Sequence, residues 1–166
     1  MEQTFSNAFS RIVAKFNKVP APLRRWARSK AFGNYVKFAG TAGIDFEEVS
    51  TAQVVCHIRN VSKNQNHIKG VHAAAMALLA ETATGFAVGM NLPDDKLPLL
   101  KSMKVEYKKR AQGDMKAVAA LTAEQIDAVR SLEKGDVTVP VTVTDSAGNE
   151  PIICEMVWAW IPKKRG

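Results

Sequence analysis

The chain has 166 residues, of which 46% are hydrophobic and 23% charged, and its 23 Lys and Arg against 16 Asp and Glu give a formal net charge of +7. This composition excludes a disordered or collagen-like chain, and the length predicts one domain with its own core. The positive charge favours an anionic partner: nucleic acid, a membrane surface or a phosphate-bearing ligand.

The cysteine content and the start of the chain bear on location. Cys56 and Cys154 are too few for a disulfide framework, and both lie in strand-like runs where a free cysteine behaves as a small core residue. The first residues lack the charged-then-apolar layout of a secretory signal. We therefore expect a cytoplasmic protein.

The N-terminal region has helical periodicity. An amphipathic helix is predicted over residues 5–17, where apolar side chains recur at helical spacing until Pro20: Phe5, Phe9, Ile12, Val13 and Phe16. Pro22 suits the start of a second short helix that runs to about Lys30. We expect residues 1–33 to form a helical extension that packs on the protein itself rather than on a membrane, and residues 34–166 to form a single domain.

From Thr41 the hydrophobic period changes to two, which is typical of β-strands. Six alternating runs are predicted as strands, within residues 42–46, 52–58, 99–107, 115–121, 139–143 and 152–160. Residues 145–149 have the composition of a hairpin turn, and Pro140 indicates an edge or a bulge. A capping box of Thr122 and Gln125 predicts one short helix before Gly135.

The segment from Val71 to about Met90 is apolar on nearly all sides. Such a helix either spans a membrane or is wrapped by protein, and Glu81 keeps its uncharged run below the ~18 residues that a span requires. The sequence therefore predicts an α+β fold, in which a curved antiparallel sheet of five to six strands surrounds one long central helix.

Glu81 is the one carboxylate in this apolar helix. Burying an unpaired charge costs several kcal/mol, so a functional role is favoured over a purely structural one at a solvent slot or subunit interface. His72, in the polar stretch 66–73 before the helix, lies nine residues from Glu81. That spacing means about 13.5 Å of rise and opposite faces, so a site that uses both residues requires two subunits. No residue spacing resembles a metal site or a phosphate loop.

These residues also carry a family resemblance. Asn66-His67-x-x-Gly70-Val71-His72-Ala73, followed by Leu79-Ala80-Glu81-Thr82-Ala83-x-Gly85, resembles the helix-entry motif of hotdog-fold thioesterases of the PaaI-like (phenylacetyl-CoA thioesterase-like) branch. The stretch Val105–Asp114 resembles the strand and turn after that family's central helix, and the resemblance extends over about residues 40–162. The chain departs from the family pattern where it has Lys69, Ala73 and Ala74 in place of glycines, and Glu81 in place of the commoner Asp.

The resemblance implies a hotdog fold, a dimer and active sites between subunits. It assigns Glu81 as general base or nucleophile toward a thioester carbonyl, the Ala73 backbone N–H as oxyanion donor, and Asn66 and His72 as residues that position water or substrate. The implied activity is that of an acyl-CoA thioesterase, which releases free acid and coenzyme A. The implied assembly is a homodimer or a homotetramer.

No cofactor is expected beyond the coenzyme A of the substrate. Its phosphates would meet a basic run which could equally be a solvated face: Lys101, Lys104, Lys108, Lys109 and Arg110. One alternative is a hotdog protein that binds acyl-CoA, or regulates through it, without turnover. Another is nucleic-acid or membrane binding through residues 11–30 and Lys163-Lys164-Arg165, which is less favoured because interleaved aromatic residues are lacking.

Overall fold

The computed structural model describes residues 5–164; residues 1–4 and 165–166, which include the predicted basic residue Arg165, lie outside this range. The helices are α1 (Ala8–Phe16), α2 (Ala21–Tyr35), α3 (Lys37–Ala42), α4 (Ala73–Asn91) and α5 (Ala123–Ser131). The strands are β1 (Asp45–Val49), β2 (Val54–Ile58), β3 (Lys96–Tyr107), β4 (Met115–Ala119), β5 (Gly135–Val139), β6 (Val141–Asp145) and β7 (Ile152–Pro162).

The strands form two antiparallel sheets, with the orders β1-β2-β4-β6 and β3-β7-β5. Strands β5 and β6 are separated by Pro140 alone, which cannot donate to a ladder, so one run of chain passes from one sheet to the other there. The two sheets are therefore the halves of one curved surface. The structure has seven strands instead of the predicted five to six, because Pro140 divides the predicted run at 139–143 and β5 begins before that run, at Gly135.

Helix α4 lies at the centre of this surface and packs against strands of both sheets. Its buried side chains include Leu79, Ala83 and Val88, each without exposed area. By length and composition α4 could cross a membrane, but a core helix has the same properties, and most of α4 is covered by protein. The predicted α+β hotdog architecture is confirmed.

The N-terminal helices share this core. Phe32 of α2 contacts Phe9, Phe46 and Phe86 with ring centroids 5.0–5.4 Å apart, which is within the favourable range for aromatic pairs. Arg28 is buried and donates to the Phe46 carbonyl over 2.8 and 3.1 Å, which fixes α2 against β1. Helices α1 and α2 therefore cover one side of α4.

Two local predictions are wrong. Residues 37–42 form α3 rather than entering a strand at Thr41, because Gly43 ends the helix with a left-handed φ of 74°, and its N–H donates to the Ala39 and Gly40 carbonyls. The turn at 145–149 forms, with Gly148 N–H donating to the Asp145 carbonyl over 3.0 Å, but β6 and β7 do not pair as a hairpin. They diverge because β6 joins β4 while β7 lies between β3 and β5.

Candidate active site

A short loop leads into α4, and Asn66 holds it in shape. The Asn66 side-chain oxygen accepts from the N–H groups of Ile68 and Gly70 over 3.0 and 3.1 Å. Lys69 adopts the left-handed conformation with φ 60°, which glycine takes without strain and other residues seldom adopt. Lys69 stands where the resembling family has glycine, and its conformation is one that suits glycine.

His72 is the N-cap of α4. Its Nδ1 accepts from the Ala74 N–H over 3.0 Å, so the proton of the neutral imidazole is on Nε2. Ala73 is the first helical residue and is exposed. Among the hydrogen bonds between residues 5 and 164, none uses the Ala73 N–H. An exposed N–H at a helix start is suited to hold an oxyanion.

Two side chains from the region after α4 contact this helix start. Tyr107, at the end of β3, donates its hydroxyl to the Ala73 carbonyl over 3.0 Å. Arg110 donates to the Ile68 carbonyl over 2.9 Å. Arg110 and Lys69 border one cleft of about 440 Å³, whose wall also includes Asn60 and Gln112. Tyr107 was missed by sequence reasoning because its contact depends on how β3 and α4 pack.

Glu81 lies elsewhere on α4, half-buried at the edge of an apolar cavity. Burial raises the pKa of its carboxyl group, and the Thr82 hydroxyl, 3.5 Å away, opposes that shift. None of the ion pairs found in the described part of the chain includes Glu81. Glu81 is therefore a carboxylate without an ion-pair partner among the described residues, in a mainly apolar surrounding that makes it a stronger base than an exposed carboxylate.

The cavity of Glu81 and the loop before α4 are separate within one chain. Eight residues of helix, about 12 Å of rise, separate Glu81 from Ala73. The described wall of the Glu81 cavity includes none of Asn66, His72 and Ala73. The structure therefore brings Asn66, His72 and Ala73 together at the helix start but places Glu81 apart from them.

The five basic residues predicted to meet coenzyme A are divided. Lys101 pairs with Asp136 over 2.6 Å, and Glu106 lies between Lys104 and Lys108 and pairs with both. Lys109 is exposed, and Arg110 lies at the cleft by the loop. Arg110 is thus the member of this group that contacts the loop before α4.

Strand β3 exposes apolar side chains on its inner face, the face on which the neighbouring strand β7 packs against the core. Residues opposite each other in an antiparallel pair point to the same face, and Leu100 and Met103 lie opposite Trp158 and Met156, which are both buried. Met103 is nevertheless 49% exposed. Within the described sheets β3 pairs with β7 alone, so β3 combines an open edge with an uncovered inner face.

An antiparallel sheet wrapped around a long central helix defines a hotdog-fold protein. PA5026 of Pseudomonas aeruginosa, a protein of unknown function and probable thioesterase, matches with a TM-score of 0.71 and 22% identity over 87% of this chain and 97% of its own. The thioesterase SAV0944 of Staphylococcus aureus matches with a TM-score of 0.63 and 18% identity, over 76% of this chain and 99% of its own. The thioesterase HI1161 of Haemophilus influenzae matches with a TM-score of 0.61 and 12% identity, over 75% of this chain and 82% of its own.

The family model "Domain of unknown function (DUF4442)" matches residues 24–161. The chain belongs to this family. No protein of curated function matches the sequence. The predicted resemblance to hotdog-fold thioesterases of the PaaI-like branch is confirmed. Among residues 5–164, no group of three or more His, Cys, Asp or Glu is arranged to hold a metal ion.

Proposed function

We propose that the protein is a cytoplasmic acyl-CoA thioesterase whose active site lies between two subunits. The observation that carries the proposal is Glu81, a half-buried carboxylate at an apolar cavity with a raised pKa and without an ion-pair partner in the described chain. The hotdog thioesterases that match the fold support a thioester substrate.

The proposed reaction is hydrolysis with Glu81 as general base. Ionised Glu81 takes a proton from water while the water oxygen bonds to the thioester carbonyl carbon. The charge that develops on the carbonyl oxygen is held by the N–H of the partner subunit's Ala73, at the start of its helix. When the carbon–sulfur bond breaks, the coenzyme A thiolate takes the proton from Glu81, and the free acid is released.

The second subunit is required because one chain does not bring Glu81 and its own Ala73 together. The uncovered inner face of β3, at Leu100 and Met103, supports a second copy of this chain as the occupant. A twofold axis near β3 would repeat this apolar strip on both partners and cover both copies. We therefore propose a homodimer, from which a homotetramer can be built.

Coenzyme A phosphates are proposed to bind near Arg110. Its guanidinium borders the cleft that also contains Lys69, and arginine suits phosphate because it donates in a planar fork. Lys109 is exposed close by, whereas Lys101, Lys104 and Lys108 already have carboxylate partners. We propose that the reaction needs no cofactor beyond the coenzyme A of the substrate.

A panel of acyl-CoA substrates, assayed for release of free thiol, tests this function. We expect the parent protein to hydrolyse at least one acyl-CoA, and we expect Glu81→Gln to lose this activity. Binding of acyl-CoA without turnover of any member would favour the alternative, a non-catalytic acyl-CoA binding or regulatory protein. Absence of both binding and turnover would contradict the proposal.

A further inference from the structure

An apolar cavity lies between the N-terminal helices and α4. Its volume is about 520 Å³, within the range of ~300–1,000 Å³ that small-molecule sites occupy. Helix α1 contributes Phe9 and Ile12, α2 contributes Ala31 and Phe32, and α4 contributes the face that carries Glu81. The N-terminal helices therefore form one wall of a cavity that opens beside the proposed general base.

One face of α4 lines the cavity, and two of its lining residues are glycines, which have no side chain. Glu81, Gly85 and Gly89 are spaced four residues apart, so they lie above one another on the same side of the helix. A Cβ at Gly85 would lie 2.7 Å from the Trp158 ring, and a Cβ at Gly89 would lie 3.5 Å from Phe9. The Trp158 and Phe9 rings therefore pack on these two glycines, and with the helix they form an apolar wall that leads away from Glu81.

Most of the polar side chains along this cavity already have hydrogen-bond partners, and Tyr35, which also lines it, is largely exposed to solvent. Asn7 donates to the Gly89 and Leu92 carbonyls over 2.8 and 2.7 Å. Lys96 donates to the Leu132 carbonyl over 2.7 Å, and Lys163 to the Asp94 carbonyl over 2.7 Å. Apart from Glu81, the described wall therefore has few free hydrogen-bonding groups for a polar ligand. This composition favours an apolar ligand.

The length of the helix face sets the length of the ligand. Glu81 and Gly89 are eight residues apart, which is about 12 Å along the helix axis. An extended polypeptide advances ~3.3–3.6 Å for every three backbone bonds. At a similar length per bond, an extended acyl chain of about ten bonds spans about 12 Å. Resting on the proposed thioesterase function, we propose that this cavity binds an unbranched acyl chain of about ten carbons, with the thioester beside Glu81.

Helix α1 is fastened over the cavity from its first turn. The Ala8 N–H donates to Asp94 Oδ1 over 2.7 Å, and Arg11 pairs with Asp94 over 3.0 Å. Together with the buried Asn7, these contacts fix α1 to the end of α4. The chain-length limit is therefore a property of the folded N-terminal helices.

The first experiment is a series of straight-chain acyl-CoA substrates from acetyl to palmitoyl. We expect kcat/KM to rise about fourfold per methylene, the fold-change that corresponds to ~0.8 kcal/mol per buried CH₂, and to level off near ten carbons. Ala31→Phe fills the cavity and should move the optimum to shorter chains. Ala14→Phe makes the same change on an exposed position of α1 outside the cavity and should leave the profile as in the parent.

The second experiment measures binding without turnover, by calorimetric titration of Glu81→Gln with decanoyl-CoA and with decanoate. We expect Ala31→Phe in that background to weaken binding at least tenfold, and Ala14→Phe to leave it unchanged. Decanoyl-CoA binding that is sensitive to Ala31→Phe, without turnover in the parent, would retain the chain site and reject the thioesterase. Turnover with a chain-length profile that Ala31→Phe does not alter would reject the chain site and retain the thioesterase.

Discussion

At the residue scale, Glu81 carries the proposed chemistry. Glu81→Gln preserves shape while removing basicity, so kcat should fall by ~10²–10⁴ with little change in substrate affinity. Single-turnover kinetics with a hydrolysed acyl-CoA measures the chemical step directly. Glu155→Gln, which makes the same change outside the Glu81 cavity, is the matched control, and a folded Glu81→Gln enzyme with near-normal kcat would remove Glu81 from the mechanism.

The buried carboxyl of Glu81 also affects stability. Its folded-state pKa is raised above the unfolded value because burial disfavours the ionised form, so ionised Glu81 destabilises the fold at neutral pH. That cost disappears as the pH falls through the raised pKa. Glu81→Gln should therefore raise Tm at neutral pH, and its advantage over the parent should shrink on acidification.

Thermal unfolding of both proteins across this pH range measures the effect. Glu106→Gln is the opposing control, because Lys108 and Lys104 lower the pKa of the exposed Glu106 carboxyl, and its loss should not raise Tm. A lower Tm for Glu81→Gln at neutral pH would mean that the carboxylate has a stabilising cation partner.

At the element scale, the structure separates cations that resemble each other in sequence. Arg110 borders the cleft at the loop before α4, whereas Lys101 is paired with Asp136. We expect Arg110→Gln to raise KM for acyl-CoA more than Lys101→Gln does. We also expect parent KM to rise with salt, because exposed charge pairs weaken as the screening length shortens to ~10 Å at 0.1 M. Steady-state kinetics from low to high salt tests both, and a flat KM would contradict phosphate binding there.

Sequence patterns predicted elements well where the determining contacts are local. The Thr122–Gln125 capping box forms as predicted, with distances of 3.0 and 3.2 Å. Prediction failed at α3 and at the 145–149 turn, where Gly43 and the division between two sheets decide the outcome. The cavity beside Glu81 and the Tyr107 contact depend on packing between distant segments, which periodicity does not encode.

At the scale of the whole molecule, the central issue is the second subunit. Met103→Glu would place a charge on the uncovered inner face of β3, and we expect it to yield monomers with little activity. Ile153→Glu, on the outer face of β7 and 54% exposed, is the matched control and should remain dimeric. Light scattering at micromolar concentration reports the mass, and an active parent monomer would contradict the shared site.

Ala73→Pro provides a second inactive variant that leaves the helix in place. Proline suits the first helical position, and His72 already has the extended φ and ψ of −64° and 142° that precede proline. The substitution removes only the N–H proposed to hold the oxyanion, so kcat should fall by ~10²–10³. Ala73→Gly retains the N–H and should retain most of the activity.

Mixing these two inactive proteins tests the account most directly. Unfolding and refolding Glu81→Gln together with Ala73→Pro gives hybrid dimers, in which one subunit supplies Glu81 and the other supplies the Ala73 N–H. Random pairing makes half of the dimers hybrids, and each hybrid has one intact site out of two. The mixture should therefore recover about a quarter of parental activity. No recovery from a mixture in which hybrid dimers are shown by mass would place both groups in one subunit and contradict a site shared between subunits.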